Sequence, residues 1–296
     1  MAFNWQTFRT RSLTAAVFVV VMLTGLLWNQ WSFLILFSII HFGSWWEYLK
    51  LTEKIYNTNI NKFSKFLLMD MGYILFWLIG FKDHETPGLK IAATSITISQ
   101  ALIFLMITGA IVFLLVNKEV NSKAKWISLG GFIYVSLSLG LMIDLRKEYF
   151  ISEVGSGQQS LSGWHEIIVP CAIIFSIWIN DTMAYVVGSL IGKTPLSKIS
   201  PKKTVEGTLG GIVLAIIVAA VIAWLSHFDI KVVIIIAAIA SVVGTFGDLL
   251  ESKLKRMAGV KDSGHIMPGH GGFLDRFDSL LLAVPAVWMY VYFFPL

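Results

Sequence analysis

Runs of about 20 mostly apolar residues, the length a helix needs to cross a bilayer, follow one another along the whole chain. They lie at roughly 13–28, 31–48, 64–81, 90–116, 124–144, 166–191, 205–226, 230–256 and 274–295. The runs are continuously apolar, whereas a membrane β-barrel alternates in-and-out residues. Only 14% of the 296 residues are charged while 56% are hydrophobic, and the mean hydropathy is +0.74. A soluble domain carries about 25% charged residues and could not cover this much apolar surface. Asn29 and Gln30 alone separate the first two runs, so these must form a tight helical hairpin. Arg9 and Arg11 precede the first run as in a secretion signal, but no small-residue cleavage pattern follows. That run is therefore expected to remain as a span. Cys171 is the single cysteine, which excludes a disulfide framework and a cysteine-based zinc site.

Charge orients these runs. With nine crossings, the segments on the N-terminal side carry every Lys and Arg except Lys82, Lys90, Arg146, Lys147 and Lys231. Positive charge marks the cytoplasmic side. The N-terminus and the 192–204 and 257–272 loops are thus expected in the cytoplasm, and the 146–165 loop outside. Topology accounts for the net charge of +5 without any nucleic-acid partner. The expectation is an all-α polytopic membrane protein of about nine spans, embedded in the cell (inner) membrane. Its N-terminal region, 1–165, would hold about five spans and its C-terminal region, 166–296, about four.

Polar chemistry is concentrated in the C-terminal region. Before it, Asp70 reads as a solvated or paired acid near a helix end, and His41, Trp45, Trp46, Glu47 and Tyr48 read as an interfacial aromatic belt. From Asn180 to Gly207, by contrast, Asp181 sits in an apolar helix. A loop follows with Lys193, Lys198, Lys202 and Lys203 among glycines and prolines, a composition suited to wrapping phosphates. The segment 247–279 is denser still, with Lys253, Lys255, Arg256, Lys261 and Arg276 beside Asp248, Glu251, Asp262, Asp275 and Asp278. If the eighth run stays helical to Arg256, Asp248, Ser252 and Lys255 share one stripe. Asp275 and Asp278 share a face at the start of the last helix, and Gly271 and Gly272 let backbone amides approach an anion there. Carboxylates on two neighbouring helices, beside amides and basic groups, suit magnesium and phosphate together. So many polar groups beside a bilayer call for a function.

At these residues the sequence resembles the phosphatidate cytidylyltransferase (CDP-diacylglycerol synthase) family. The likeness rests on Ser252, Leu254, Lys255-Arg256, Lys261-Asp262, Gly264, Met267-Pro268, His270-Gly271-Gly272-Phe273 and Asp275-Arg276-Phe277-Asp278. Upstream it includes Asp181-x-x-Ala-Tyr185, Gly192-Lys193, Ser200-Pro-Lys-Lys-Thr-Val-Glu-Gly207 and Gly247-Asp248. Members often carry an Arg where this chain has Ser189. The resemblance implies the reaction of CTP with phosphatidic acid to CDP-diacylglycerol and pyrophosphate at a bilayer, with magnesium or manganese as cofactor and room for a homodimer. It implies Asp248 and Asp275 as metal ligands, with Asp278 and Asp262 as further acids. Lys255, Arg256, Lys261 and Arg276 would neutralise phosphates and His270 would donate to one. Asp181, Lys193, Lys202, Lys203, Glu206, Ser252, Gly271 and Gly272 would complete the substrate pocket. The phosphatidate monoester is largely ionised at neutral pH, so the chemistry needs no strong base. The rivals are a CTP-dependent polyprenol kinase and a transporter. The kinase would release CDP, and the transporter would place its charges near the bilayer midplane on inverted repeats, which the sequence does not show.

Single cysteines placed in the 192–204 and 257–272 loops, in a Cys171→Ser background, should be shielded from an impermeant thiol reagent in intact cells. Cysteines in the 146–165 loop should label. Labelling of the 257–272 loop from outside would invert the expected topology.

Overall fold

The computed structural model describes residues 5–81, 88–91, 94–154, 165–264, 266 and 271–294. The described chain is built of helices, except for one β-hairpin. In order these are α1 (Trp5–Leu27), α2 (Gln30–Tyr56), α3 (Lys62–Gly80), strands β1 (Gly88–Ile91) and β2 (Thr94–Thr97), α4 (Ile98–Val116) and α5 (Ser122–Gly131). A π-helical turn (Phe132–Leu137) leads into α6 (Ser138–Val154), followed by α7 (His165–Ile191), α8 (Val205–Leu225), α9 (Ile230–Met257) and α10 (Leu274–Phe293). The β-strands pair antiparallel, Gly88 opposite Thr97.

The apolar runs become helices, with boundaries set by local polar chemistry. Asn29 caps α2 by accepting from Ser32 N at 2.8 Å while Ser32 Oγ accepts from Asn29 N at 3.0 Å, which makes the tight α1–α2 hairpin. The run expected at 90–116 is corrected at its start. A second capping box, between Thr97 and Gln100, starts α4 at Ile98, and the preceding residues pair as a hairpin. The run at 124–144 is likewise not one regular helix but α5, the π-helical turn and α6. That last helix continues to Val154, so helix occupies the start of the expected 146–165 loop. Gly155, Ser156 and Gly157 lie outside the described residues. Among the described residues, six helical segments are long and apolar enough to cross a membrane. They are Lys62–Gly80, Ile98–Val116, Ser122–Arg146, Ile167–Ile191, Val205–Leu225 and Ile230–Met257.

Small residues set the closest helix approaches. The buried residues of α8 are Gly207, Gly211, Ala215, Ala219 and Ala223, one every fourth position, so a single seam faces α7 and α9. A Cβ on Gly211 would lie 2.6 Å from the carbonyl oxygen of Asn180. In lipid, which offers no hydrophobic drive between helices, such small-residue seams let backbones gain van der Waals contact. The outward side of α8 carries Leu209, Val213, Ile217 and Val221, all exposed, as a lipid-facing surface requires. The same logic brings α9 and α10 together, because a Cβ on Gly247 would lie 2.5 Å from the carbonyl oxygen of Asp278.

The aromatic group of α2 is core, not an interfacial belt. Trp45 and Tyr48 are buried; Trp45 Nε1 donates to Ser136 Oγ at 2.8 Å and Tyr48 OH to the carbonyl of Ile127 at 2.6 Å. Gly131 leaves the space that the Trp45 ring fills. Asp70 lies on the exposed side of α3.

Gly211→Leu should destabilise the α7–α8 pair by about 1–3 kcal/mol through overpacking. Val213→Leu, on the exposed side, should change stability by less than about 0.5 kcal/mol. Melting in detergent separates the two, and equal melting temperatures would deny the seam its role.

Candidate active site

The C-terminal ends of α2, α7 and α9 meet the N-terminal ends of α8 and α10 at one end of the bundle. The 192–204 loop is folded there by its own backbone. Leu196 N donates to the Lys203 carbonyl at 2.7 Å and Val205 N to the Thr194 carbonyl at 2.9 Å, bridging Pro195 and Thr204. Thr204 caps α8, accepting from Gly207 N at 3.1 Å. Glu206 accepts from the amides of Lys193 and Thr194, both at 3.1 Å. Closed in this way, the loop directs Lys203 onto Asp248, with which it forms an ion pair.

Beside that pair, Asp248, Glu251 and Asp278 offer carboxylate oxygens within 4.8 Å of one another. Asp248 and Glu251 are one helical turn apart on α9, and Gly247 admits α10 closely enough to bring Asp278 to them. Glu251 is fully buried with Lys255 as its counter-charge at 2.5 Å. The Lys255 ammonium also binds Asp275 at 2.6 Å. Asp275 is held further by Ser263 N at 2.9 Å and by Gly272 N at 2.8 Å. Mutually repelling hard oxygens, outnumbering the lysines paired with them, are a donor set that fits a divalent cation such as magnesium.

A cavity of about 560 Å³ opens beside this cluster. It is lined by Asp181, Lys202, Lys203, Asp248, Asp275 and Asp278 among the expected site residues, joined by Tyr185, Ser189, Thr204 and Ser279. The rest of the expected set lies outside this lining. Ser252 Oγ reaches Asp248 at 3.5 Å, Lys255 lies behind Asp275, and Glu206 clamps its loop. Arg256, Lys261 and Asp262 are exposed, and Arg276 faces Met22 and Trp178. The amide of Gly272, expected to meet an anion from substrate, is corrected to an internal role. It binds the Asp275 carboxylate, and Gly271 turns the chain there at φ +84°. His270 lies outside the described residues. A second cavity, about 480 Å³, is apolar and walled by residues such as Ile167, Phe175 and Ile222.

The sequence matches the cytidylyltransferase family over residues 9–294. The chain belongs to that family. It is 31% identical to the phosphatidate cytidylyltransferase of Staphylococcus aureus over 282 residues, 94% of this chain and 96% of the relative. It is 42% identical to the phosphatidate cytidylyltransferase of Bacillus subtilis over 161 residues, 53% of this chain and 56% of that protein. Against the enzyme of the same name from Staphylococcus haemolyticus it is 44% identical over 126 residues, 42% of this chain and 47% of the relative. The chain is accordingly a nucleotidyltransferase.

Two residues of this family member's site, Glu251 and Glu47, have no role that the motif assigns. Glu251 was within reach of helical spacing, three positions after Asp248 on the same face. Glu47 had no such signal, because its partners Ser263 and Leu274 lie 216 and 227 positions away.

Glu206→Ala should free the Lys193 and Thr194 amides and loosen the loop. Trypsin should then cut after Lys193, Lys198 and Lys202 several-fold faster than in the unaltered protein in detergent. Unchanged cleavage would mean that the backbone bridge alone closes the loop.

Proposed function

We propose that the chain transfers the cytidylyl group of CTP to phosphatidic acid, giving CDP-diacylglycerol and pyrophosphate, at the cytoplasmic face of the cell membrane. The observation that carries this is the cavity in which Lys202 and Lys203 face Asp181, Asp248 and Asp278 at the helix ends. Two polyanionic substrates need that pairing of ammonium groups with a cation-binding acid cluster, and a membrane-dissolved lipid needs it at an interface. Under this reading the helices make nine crossings and the N-terminus is cytoplasmic. The basic residues gathered on that side support it.

A phosphate oxygen of phosphatidic acid attacks the α-phosphorus of CTP. The bond to the bridging oxygen breaks, and pyrophosphate leaves with the electron pair. Because the attacking oxygen is already ionised, the protein's work is alignment and charge neutralisation. Lys202 and Lys203 draw the phosphates into the cavity, Lys203 exchanging its contact with Asp248 for one with substrate. Ser189 lines the same cavity, so these lysines supply the positive charge that an Arg at that position would bring. Asp248, Glu251 and Asp278 would hold magnesium, with manganese as the substitute ion. The ion, when bound, offsets phosphate charge as it develops. Asp275, its oxygens engaged by Lys255, Ser263 and Gly272, fixes the geometry around that site.

Incubation with CTP labelled at the α-phosphorus should give a labelled lipid only when phosphatidic acid is present, with pyrophosphate released. Unlabelled phospholipid with labelled CDP would identify a kinase instead. Asp248→Asn and Asp278→Asn should each lower turnover at least about 10²-fold and raise the magnesium requirement. Asp275→Asn should lower turnover with an unaltered magnesium requirement. A shifted requirement in Asp275→Asn would make it a ligand.

A further inference from the structure

A carboxylate of the N-terminal half reaches the segment that leads into α10. Glu47, on α2, is 2% exposed. It accepts from Ser263 Oγ at 2.7 Å and from Leu274 N at 2.9 Å, so it ties the segment after α9 to the first residue of α10. The fit is close on either side. The Glu47 carboxylate occupies the positions where Gly264 and Gly272 would carry a Cβ, and the Phe273 ring fills the space left by Gly43. Ser263 N in turn donates to Asp275 Oδ2 at 2.9 Å, and Asp275 holds Lys255, which holds Glu251. A continuous chain of polar contacts therefore runs from α2 to the carboxylate cluster. Packing alone would be served by an apolar side chain, without the cost of desolvating a carboxylate.

We infer that Glu47 is a positioning residue for the cytidylyl transfer. It fixes Ser263 and Leu274, and through Ser263 it sets the orientation of Asp275 and Lys255. The N-terminal helices are on this view part of the catalytic apparatus as well as a membrane anchor. The inference rests on the function proposed above. It concerns a side chain that lines neither cavity and acts only through others.

The experiment measures kcat and KM for CTP, with melting temperature, in Glu47→Ala, Glu47→Gln and Ser263→Ala. Gln keeps an oxygen that can accept from the same two donors. Glu47→Ala should lower kcat at least about 10-fold, since displacement of a site by even an ångström can cost about 10²-fold, while KM for CTP stays within about 3-fold. Glu47→Gln should recover most of the lost kcat, and Ser263→Ala should lower it as Glu47→Ala does. Wild-type kcat in folded Glu47→Ala, or Glu47→Gln as impaired as Glu47→Ala, would overturn the inference. Should Glu47→Ala fail to fold, wild-type kcat in Ser263→Ala overturns it equally. Trypsin cleavage after Lys261 gives a readout that does not depend on the reaction, and it should quicken in Glu47→Ala. If the unaltered protein makes no CDP-diacylglycerol, the proposed function fails, while the cleavage rate still reports whether Glu47 holds the segment.

Discussion

Like charges forced together at one end of the helix bundle are the constraint on which the rest of the structure depends. Gly247 brings α9 and α10 close enough for the Asp278 backbone to touch it, and the carboxylates of Asp248, Glu251 and Asp278 are thereby crowded within 4.8 Å. Buried, unpaired carboxylates are prohibitively costly, so the loop before α8, the last turn of α9 and the segment before α10 supply compensation. The 192–204 loop delivers Lys203 to Asp248. The last turn of α9 turns Lys255 back between Glu251 and Asp275. The segment before α10 commits the amides of Ser263 and Gly272 to Asp275. The remaining negative charge is what a divalent ion and two phosphate-bearing substrates would use.

Crowding of this kind needs a stiff frame, and the frame comes from small residues. Lipid does not drive helices together as water does, so close approach must come from van der Waals contact between backbones. The Gly and Ala seam of α8 serves this purpose along its whole length. Gly207, at the seam's site end, would place a Cβ 2.6 Å from the Ala184 carbonyl oxygen, so the helix bearing Asp181 and the helix that follows the lysine loop sit almost in backbone contact. The loop that carries Lys203 has little freedom as a result.

The N-terminal half is bound to this frame by polar contacts that cross the bundle. Trp288 Nε1 donates to Asp144 at 2.8 Å, joining α10 to α6. Arg146 donates to the Asn29 carbonyl at 3.1 Å, joining α6 to the α1–α2 hairpin. At the opposite end of α2, Glu47 grips the segment that leads into α10. Each contact joins residues more than a hundred positions apart, and together they make one body of helices that hydropathy alone divides into a bland half and a chemical half.

Continuous apolar runs and their length were enough to locate the helices, because a segment without charges over some 20 residues has few alternatives in a bilayer. Local polar chemistry was legible as well. Asn29 marked the first hairpin, and the motif around Asp248, Lys203 and Asp278 pointed to a phosphate-handling site through residue types and spacing alone. The hairpin before α4 was missed because an apolar run does not reveal where its helix starts; the Thr97–Gln100 box does. Only the tertiary structure decided which acid meets which. The family resemblance implies Asp275 as a metal ligand and Asp278 as a further acid, yet Asp275 is bonded to Lys255, Ser263 and Gly272 while Asp278 joins Asp248 and Glu251. That difference depends on the closeness of two helices and on the path of the segment between them. So does the place of Glu47, whose partners lie more than two hundred residues away. A helix is determined by neighbours within a few positions, whereas a charged site is determined by whichever groups the fold brings within about 4 Å, where Coulomb and hydrogen-bond energies become large.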